Sequence, residues 1–175
     1  MDKQPTLNTQ RLVLRPFETS DAKRVQTLAG AKEIGDVTST VPHPYPDGVA
    51  ETWISTHLEN WIKRDLVTYA IVEKNTNSLV GCISLIRIGS ELPELGYWIG
   101  VEYWGSGYCT EACQAILEFG YKEFNLKTIY GRHFARNPAS GRVMEKCGLK
   151  YVKTAIEQSG RLKGEEIKLY AREFT

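Results

Sequence analysis

The stretch Tyr103-Trp-Gly-Ser-Gly-Tyr-Cys-Thr-Glu111 limits what this chain can fold into more than any other. It follows an apolar run, Leu95-Gly-Tyr-Trp-Ile-Gly-Val101, and precedes a helix-patterned segment from Ala112 to Phe124. A strand that breaks into a glycine turn and then starts a helix leaves backbone N–H groups unpaired and aimed at one point. The helix terminus adds partial positive charge there. Such a corner suits a phosphate, and it is equally well read as a plain tight turn, because glycine pairs between elements are common. Two phosphate motifs are set aside. Walker A needs Lys and then Ser or Thr after its last glycine, whereas Gly105 is followed by Ser106 and Gly107. The dinucleotide fingerprint fails at Thr110, and residues 128 to 135 contain none of the acids expected at the end of the next strand.

Around this corner the pattern predicts a strand near Arg11–Phe17 and a helix over Ala22–Ala29, capped by Thr19-Ser-Asp21. A proline-rich loop follows at 38 to 48, and Asp47 is the expected cap of a helix whose apolar residues are Trp53, Ile54, Leu58, Trp61 and Ile62. Thr68–Glu73 and Leu79–Ile88 read as a hairpin turned by 74 to 78, with a bulge at Gly81. After the strand at 94 to 101 and the helix to Phe124 come a strand near Thr128–Ala135 and a short helix opened by Asn137-Pro138. A terminal pair, Tyr151–Glu157 and Ile167–Phe174, completes the chain. This order gives one α+β domain over 1 to 175, with a mixed sheet of about seven strands and helices on both faces. The strands flanking the 110 to 124 helix are expected to be parallel.

A second segment narrows the reading. Asn137-Pro-Ala-Ser140 opens a helix that Gly148 closes, which by itself is ordinary capping. Its position one strand after a glycine-turn helix is not explained that way. With Thr9-Gln-Arg-Leu-Val-Leu-Arg-Pro-Phe17, Glu94-Leu-Gly-Tyr-Trp-Ile99, Trp104 to Ala112 and Glu145-Lys-Cys-Gly-Leu149, the chain resembles the GCN5-related N-acetyltransferases. Within them it is similar to the ribosomal-protein alanine N-acetyltransferases (RimJ/RimL-like). The matching segments run in family order along nearly the whole chain.

The resemblance implies acetyl-CoA as donor and a primary amine as acceptor, either a peptide N-terminus or a small molecule. It implies that the backbone of Trp104, Gly105, Ser106, Gly107, Tyr108, Cys109 and Thr110 holds the pyrophosphate. The strand through Ile99 and Val101 splays from its neighbour to pair with the pantetheine arm, and Asn137 meets that arm from the other side. Trp104 stands where the family usually has Gln or Arg, and Cys109 where it has Gly or Ala. Glu94 matches a family glutamate and is the candidate general base, with Glu91 as fallback. The oxyanion is expected at a backbone N–H near Ile99. Met144 occupies the position where many branches place a proton-donating tyrosine, which leaves Ser140 to assist the thiolate. Arg142 and Lys146 are candidates for the 3′-phosphate of CoA. His43, Tyr45, Asp47, Glu51 and Trp53 are the expected lining of the acceptor groove.

Bulk properties bound the alternatives. The formal net charge of +1 gives no global attraction to nucleic acid or membrane. Residues 122 to 153 do carry eight basic residues against Glu123 and Glu145, but no recognition helix, RRM or zinc pattern accompanies them. Cys82, Cys109, Cys113 and Cys147 show no disulfide spacing; Cys109 and Cys113 could form half a metal site, but the three histidines form no matching pair to complete it. No signal-peptide pattern or membrane-length apolar run appears, so a reduced cytoplasmic protein, monomeric or homodimeric, is expected. A catalytically silent acyl-CoA-binding module is the alternative function.

Overall fold

A computed structural model describes residues 3–175. Its centre is an eight-stranded mixed sheet in the order β1-β2-β3-β4-β5-β6-β8-β7, one strand more than the sequence pattern predicts. The strands are β1 (Leu7–Asn8), β2 (Leu12–Arg15), β3 (Leu66–Glu73), β4 (Ser78–Ile86), β5 (Glu94–Ile99), β6 (Thr128–Phe134), β7 (Lys150–Ile156) and β8 (Glu166–Glu173). The additional one is β1, a two-residue strand too short to leave a periodic signal.

Among the described residues six α-helices cover the sheet: α1 (Ala22–Ala29), α2 (Lys32–Val37), α3 (Val49–Ser55), α4 (His57–Lys63), α5 (Tyr108–Phe124) and α6 (Pro138–Lys146). The single helix expected around Trp53 to Ile62 is two short ones joined at Thr56. Their buried residues are Ala50, Ile54, His57 and Trp61, while Leu58 and Ile62 are exposed. Spacings of four, three and four residues keep the first set on one stripe. Asp47 is not the cap of α3; Gly48 holds that position at φ +79°, and Asp47 instead accepts a hydrogen bond from Gln26 Nε2 at 2.7 Å.

Strand alternation divides the core between the two faces. Leu95 and Ile99 pack with Ala112, Cys113, Ile116 and Leu117 of α5 and with Met144 of α6. Trp98 faces the other way, onto Val25, Leu28, Ala50 and Ile54. Each fully buried aliphatic contributes roughly 1.5–3 kcal/mol relative to exposure, so α5 is the most firmly seated helix. The bulge expected near Gly81 is present: the β3–β4 register shifts between Ile71 and Val72, opposite Gly81 and Leu79. A Cβ on Gly81 would lie 2.4 Å from the Trp98 carbonyl oxygen, so only glycine allows β4 and β5 to approach this closely.

The one parallel joint among the described strands is β5 against β6, and it is short. Only Glu94–Tyr130 and Leu95–Gly131 are paired, so from Gly96 onward the two strands diverge. No helix among the described residues is long and apolar enough to cross a membrane.

Candidate active site

The divergence of β5 from β6 leaves unpaired backbone on both edges. Gly100 N–H donates to Val80 O at 2.9 Å, toward β4, while Tyr130 N–H donates to Pro93 O at 2.9 Å, across the parallel joint. Alternation along a strand therefore turns the N–H and C=O groups of Tyr97 and Ile99 into the opening. The Ile99 carbonyl is covered by the Trp104 indole, whose Nε1 donates to it at 2.7 Å.

At the wide end of the opening, Gly105 and Gly107 adopt φ +78° and +80°, and α5 begins at Tyr108, four residues earlier than the pattern predicts. The N–H groups of Trp104 and Ser106 are used inside the turn, to Val101 O and Tyr103 O at 3.1 and 3.4 Å. Those of Gly105, Gly107, Tyr108, Cys109 and Thr110 meet no acceptor among the described residues. A Cβ on Gly105 would meet nothing within 4 Å, so the approach to these donors is open. Five convergent N–H groups at the start of a 17-residue helix fit a diphosphate, by charge and by donor number.

The turn is held from outside by the β1–β2 corner. Arg11 Nη1 donates to Ser106 O at 2.8 Å and Arg11 Nε to Glu111 Oε2 at 2.7 Å. Glu111 Oε1 also accepts from the Arg11 N–H and the Thr9 hydroxyl, at 2.7 and 2.6 Å. Burial pushes the Glu111 carboxyl up, but the bonds from Thr9 and from Arg11 outweigh it and hold its pKa below the usual value. An open cleft of about 570 Å³ runs beside this clamp, lined by Gly107, Thr110, Gln114 and, from α6, Lys146.

Ser140 and Tyr97 meet across the opening. The Tyr97 hydroxyl lies 2.9 Å from both the carbonyl oxygen and Oγ of Ser140. Burial drives the Tyr97 pKa far upward, so it stays a phenol with one proton for the two acceptors; when that proton turns to Oγ, the Ser140 hydroxyl hydrogen is free for another acceptor. Asn137 opens α6 with no side-chain capping bond, so its amide is uncommitted. Behind Tyr97 lie Cys109 and the buried Cys113 and Cys147, all free thiols. Arg142 is exposed on α6.

On the other face of β5, Glu94 is buried and accepts from Arg87 Nη2 and from Arg132 Nε, the latter at 2.9 Å. Arg132 Nη1 continues to the buried Glu157 at 2.8 Å, so two carboxylates and two guanidiniums form one neutral chain. Glu91 is exposed and outside it. A Cβ on Gly96, next to Glu94 on the same strand, would meet nothing within 4 Å; this face is open just where β5 and β6 part. The β7–β8 loop reaches α2 through Arg161, which donates to Gly35 O and, at 3.2 Å, to Thr38 O. His43 packs against Gly35, which brings one residue of the expected acceptor lining to this loop. Trp53 is half-buried against Phe17 and His57 and, together with Asp47, lines a separate pocket. Sequence reasoning missed Tyr97, Arg87, Arg132, Glu157 and the Arg11–Glu111 clamp, all of which depend on contacts between distant segments.

Comparison with known proteins agrees with this geometry. Residues 11–150 match the family model "Acetyltransferase (GNAT) domain". The chain is 31% identical over 146 residues to the uncharacterized N-acetyltransferase YnaD of Bacillus subtilis, covering 82% of each protein. Among solved structures it superposes on RimL, a ribosomal L7/L12 alpha-N-protein acetyltransferase in complex with coenzyme A. There the TM-score is 0.85 at 14% identity, over 97% of this chain and 98% of that one. The Microcin C7 self-immunity acetyltransferase MccE, in complex with acetyl-CoA and AMP, aligns with a TM-score of 0.81 at 15% identity, over 94% and 93% of the two chains. The family match spans most of the sequence and includes the glycine turn, the divergent strand and the Asn137 helix: this chain belongs to the GNAT family of acetyltransferases.

Proposed function

We propose that the protein transfers acetyl from acetyl-CoA to a primary amine, with the α-amino group of a peptide or protein as the preferred acceptor. The observation that carries the donor is the set of free N–H groups of Gly105, Gly107, Tyr108, Cys109 and Thr110 at the mouth of the β5–β6 divergence. The diphosphate sits on those donors, and the pantetheine arm runs along Tyr97 and Ile99 in place of a neighbouring strand. The uncommitted Asn137 amide meets the arm from α6. Arg142 and Lys146, four residues apart on one helix face, take the 3′-phosphate at the rim.

Attack on a thioester requires a neutral amine, a stabilised oxyanion and an assisted thiolate. An α-amine has a reference pKa of about 7.7–8.0 against about 10.4 for lysine, so it needs little help from a base. This matters because both carboxylate oxygens of Glu94 already accept from guanidiniums, so neither is free to meet the amine directly. Glu94 therefore serves as base through water, at the open face beside Gly96. The Ile99 or Tyr97 N–H meets the oxyanion. The Ser140 hydroxyl, oriented by Tyr97, donates to the departing sulfur, which at a thiol pKa near 8.5 needs a hydrogen bond more than a strong acid.

Thiol release from acetyl-CoA, measured against N-terminal peptides, polyamines, aminoglycosides and amino acids, tests the reading. Turnover with one acceptor class and none without acceptor is expected. Binding of acetyl-CoA with no product from any amine would favour a silent binding module.

A further inference from the structure

The polarity of the glycine turn depends on one peptide plane. In a planar trans peptide the C=O and N–H point in opposite directions. If the plane joining Ser106 to Gly107 faces one way, the Gly107 N–H points at the start of α5; reversed, the Ser106 carbonyl oxygen does. Gly107 has no side chain to resist the reversal, and a carbonyl in the cradle would repel an anion where an N–H attracts it. The structure contains a device that fixes the choice. Arg11 Nη1 holds Ser106 O at 2.8 Å on the outer side, which turns the Gly107 N–H inward.

Arg11 is itself framed. Its Nε is bound to Glu111, its backbone N–H to the same carboxylate, and its guanidinium lies 4.8 Å over the Tyr108 ring. Thr9 donates to Glu111 at 2.6 Å and closes the β1–β2 corner through Leu12 N–H at 3.0 Å. Glu111 N–H donates to Gly107 O at 3.1 Å. The carboxylate that fixes Arg11 thus rides on the same turn whose peptide Arg11 fixes, although the two residues are 100 positions apart.

We infer that Arg11 is a positioning residue for donor binding: through the Ser106 carbonyl it sets the N–H polarity of the glycine turn, with Thr9 and Glu111 as its frame. The inference rests on the diphosphate assignment made above. It also gives the pairing of two distant segments, Thr9-Gln-Arg11 and Thr110-Glu111, a physical reason.

The test compares the affinities of acetyl-CoA and acetyl-pantetheine, which carries the thioester arm without the diphosphate, for the wild type, Arg11→Gln, Glu111→Gln and the double variant by calorimetry. The wild type is expected to prefer acetyl-CoA. Each single variant should lose about tenfold of that preference, the scale of one charge-assisted hydrogen bond. The double variant should lose no more than either single, because both act through one device. Retained preference in the single variants would overturn the inference, as would multiplied losses in the double variant or equal losses for both ligands. A wild type without any preference would instead remove the diphosphate assignment, and this inference with it. Should Arg11→Gln not fold, Arg11→Lys decides: it keeps the charge but cannot hold Ser106 and Glu111 together, and an unchanged preference counts against the proposal.

Discussion

His57 should give the protein a stability that depends on pH between about 6.5 and 4. The imidazole is 7% exposed, lies edge-on to Trp53 and Phe17 with ring centroids 4.4 and 5.5 Å away, and has no hydrogen-bond partner on either nitrogen among the described residues. Burial is the only cause acting on it and lowers its pKa from 6.5 to about 4. A depressed histidine is neutral in the fold and binds its proton more readily when unfolded. The stability it contributes is thus fully present above the unfolded value and is lost as pH falls toward the folded one. The whole interval is worth about 3 kcal/mol, of which about 2 kcal/mol is gone by pH 5. For a chain of this length that is roughly 4–8 °C in melting temperature. His57→Leu keeps the volume and removes the titration. Urea unfolding of both proteins at about pH 7.5 and pH 5 isolates the contribution, because the carboxylates titrate in both and cancel in the difference. Wild type should lose about 2 kcal/mol more than His57→Leu. Equal losses would refute the reasoning and mean that the ring is solvated or partnered in the folded protein.

Gly107→Ala forces a left-handed conformation on a residue with a Cβ and brings that atom 3.3 Å from Arg11 Nη2. It should cost about 1–2 kcal/mol of stability by denaturant titration and weaken acetyl-CoA binding as well. Ser140→Ala is expected to lower kcat about tenfold or more with little change in acetyl-CoA affinity, and Tyr97→Phe should lower it less, since it only orients the serine; steady-state kinetics separates the two. Glu94→Gln leaves the partly exposed Arg87 and Arg132 facing a neutral amide, so both turnover and stability should fall, the latter by about 1–2 kcal/mol; unchanged turnover would take Glu94 out of the mechanism.

Local signals in the sequence located the strands and long helices, because each rests on contacts within a few residues. The glycine turn, the N-terminus of α6 and the β3–β4 hairpin are set by backbone preferences of Gly, Pro and Asn and were legible for that reason. The region from Lys32 to Lys63 was not. Its helices α2, α3 and α4 span six or seven residues each, too short for a periodic pattern to emerge, and Leu58 and Ile62 mimic a buried stripe while facing outward. The site divides in the same way. Its backbone donors follow from the motif, whereas the bond between Tyr97 and Ser140 joins residues 43 positions apart and the Glu94–Arg132–Glu157 chain joins two strands and the residue just after a third. Charged residues carry no mark in one sequence that says which opposite charge they will meet.

The brevity of the β5–β6 joint has a mechanical consequence. With two residue pairs linking them, the first five strands and the last three share only a narrow backbone joint, and α5 and α6 packed on Leu95 and Ile129 carry the rest of the connection. A ligand whose amides bridge Tyr97 and Ile99 to the Asn137 side would act as a splint. Deuterium uptake at those amides, and at the β6 edge opposite, should slow when the splint is in place and quicken after the thioester is spent and departs. Turnover would then be accompanied by a cycle of stiffening and loosening across the middle of the protein.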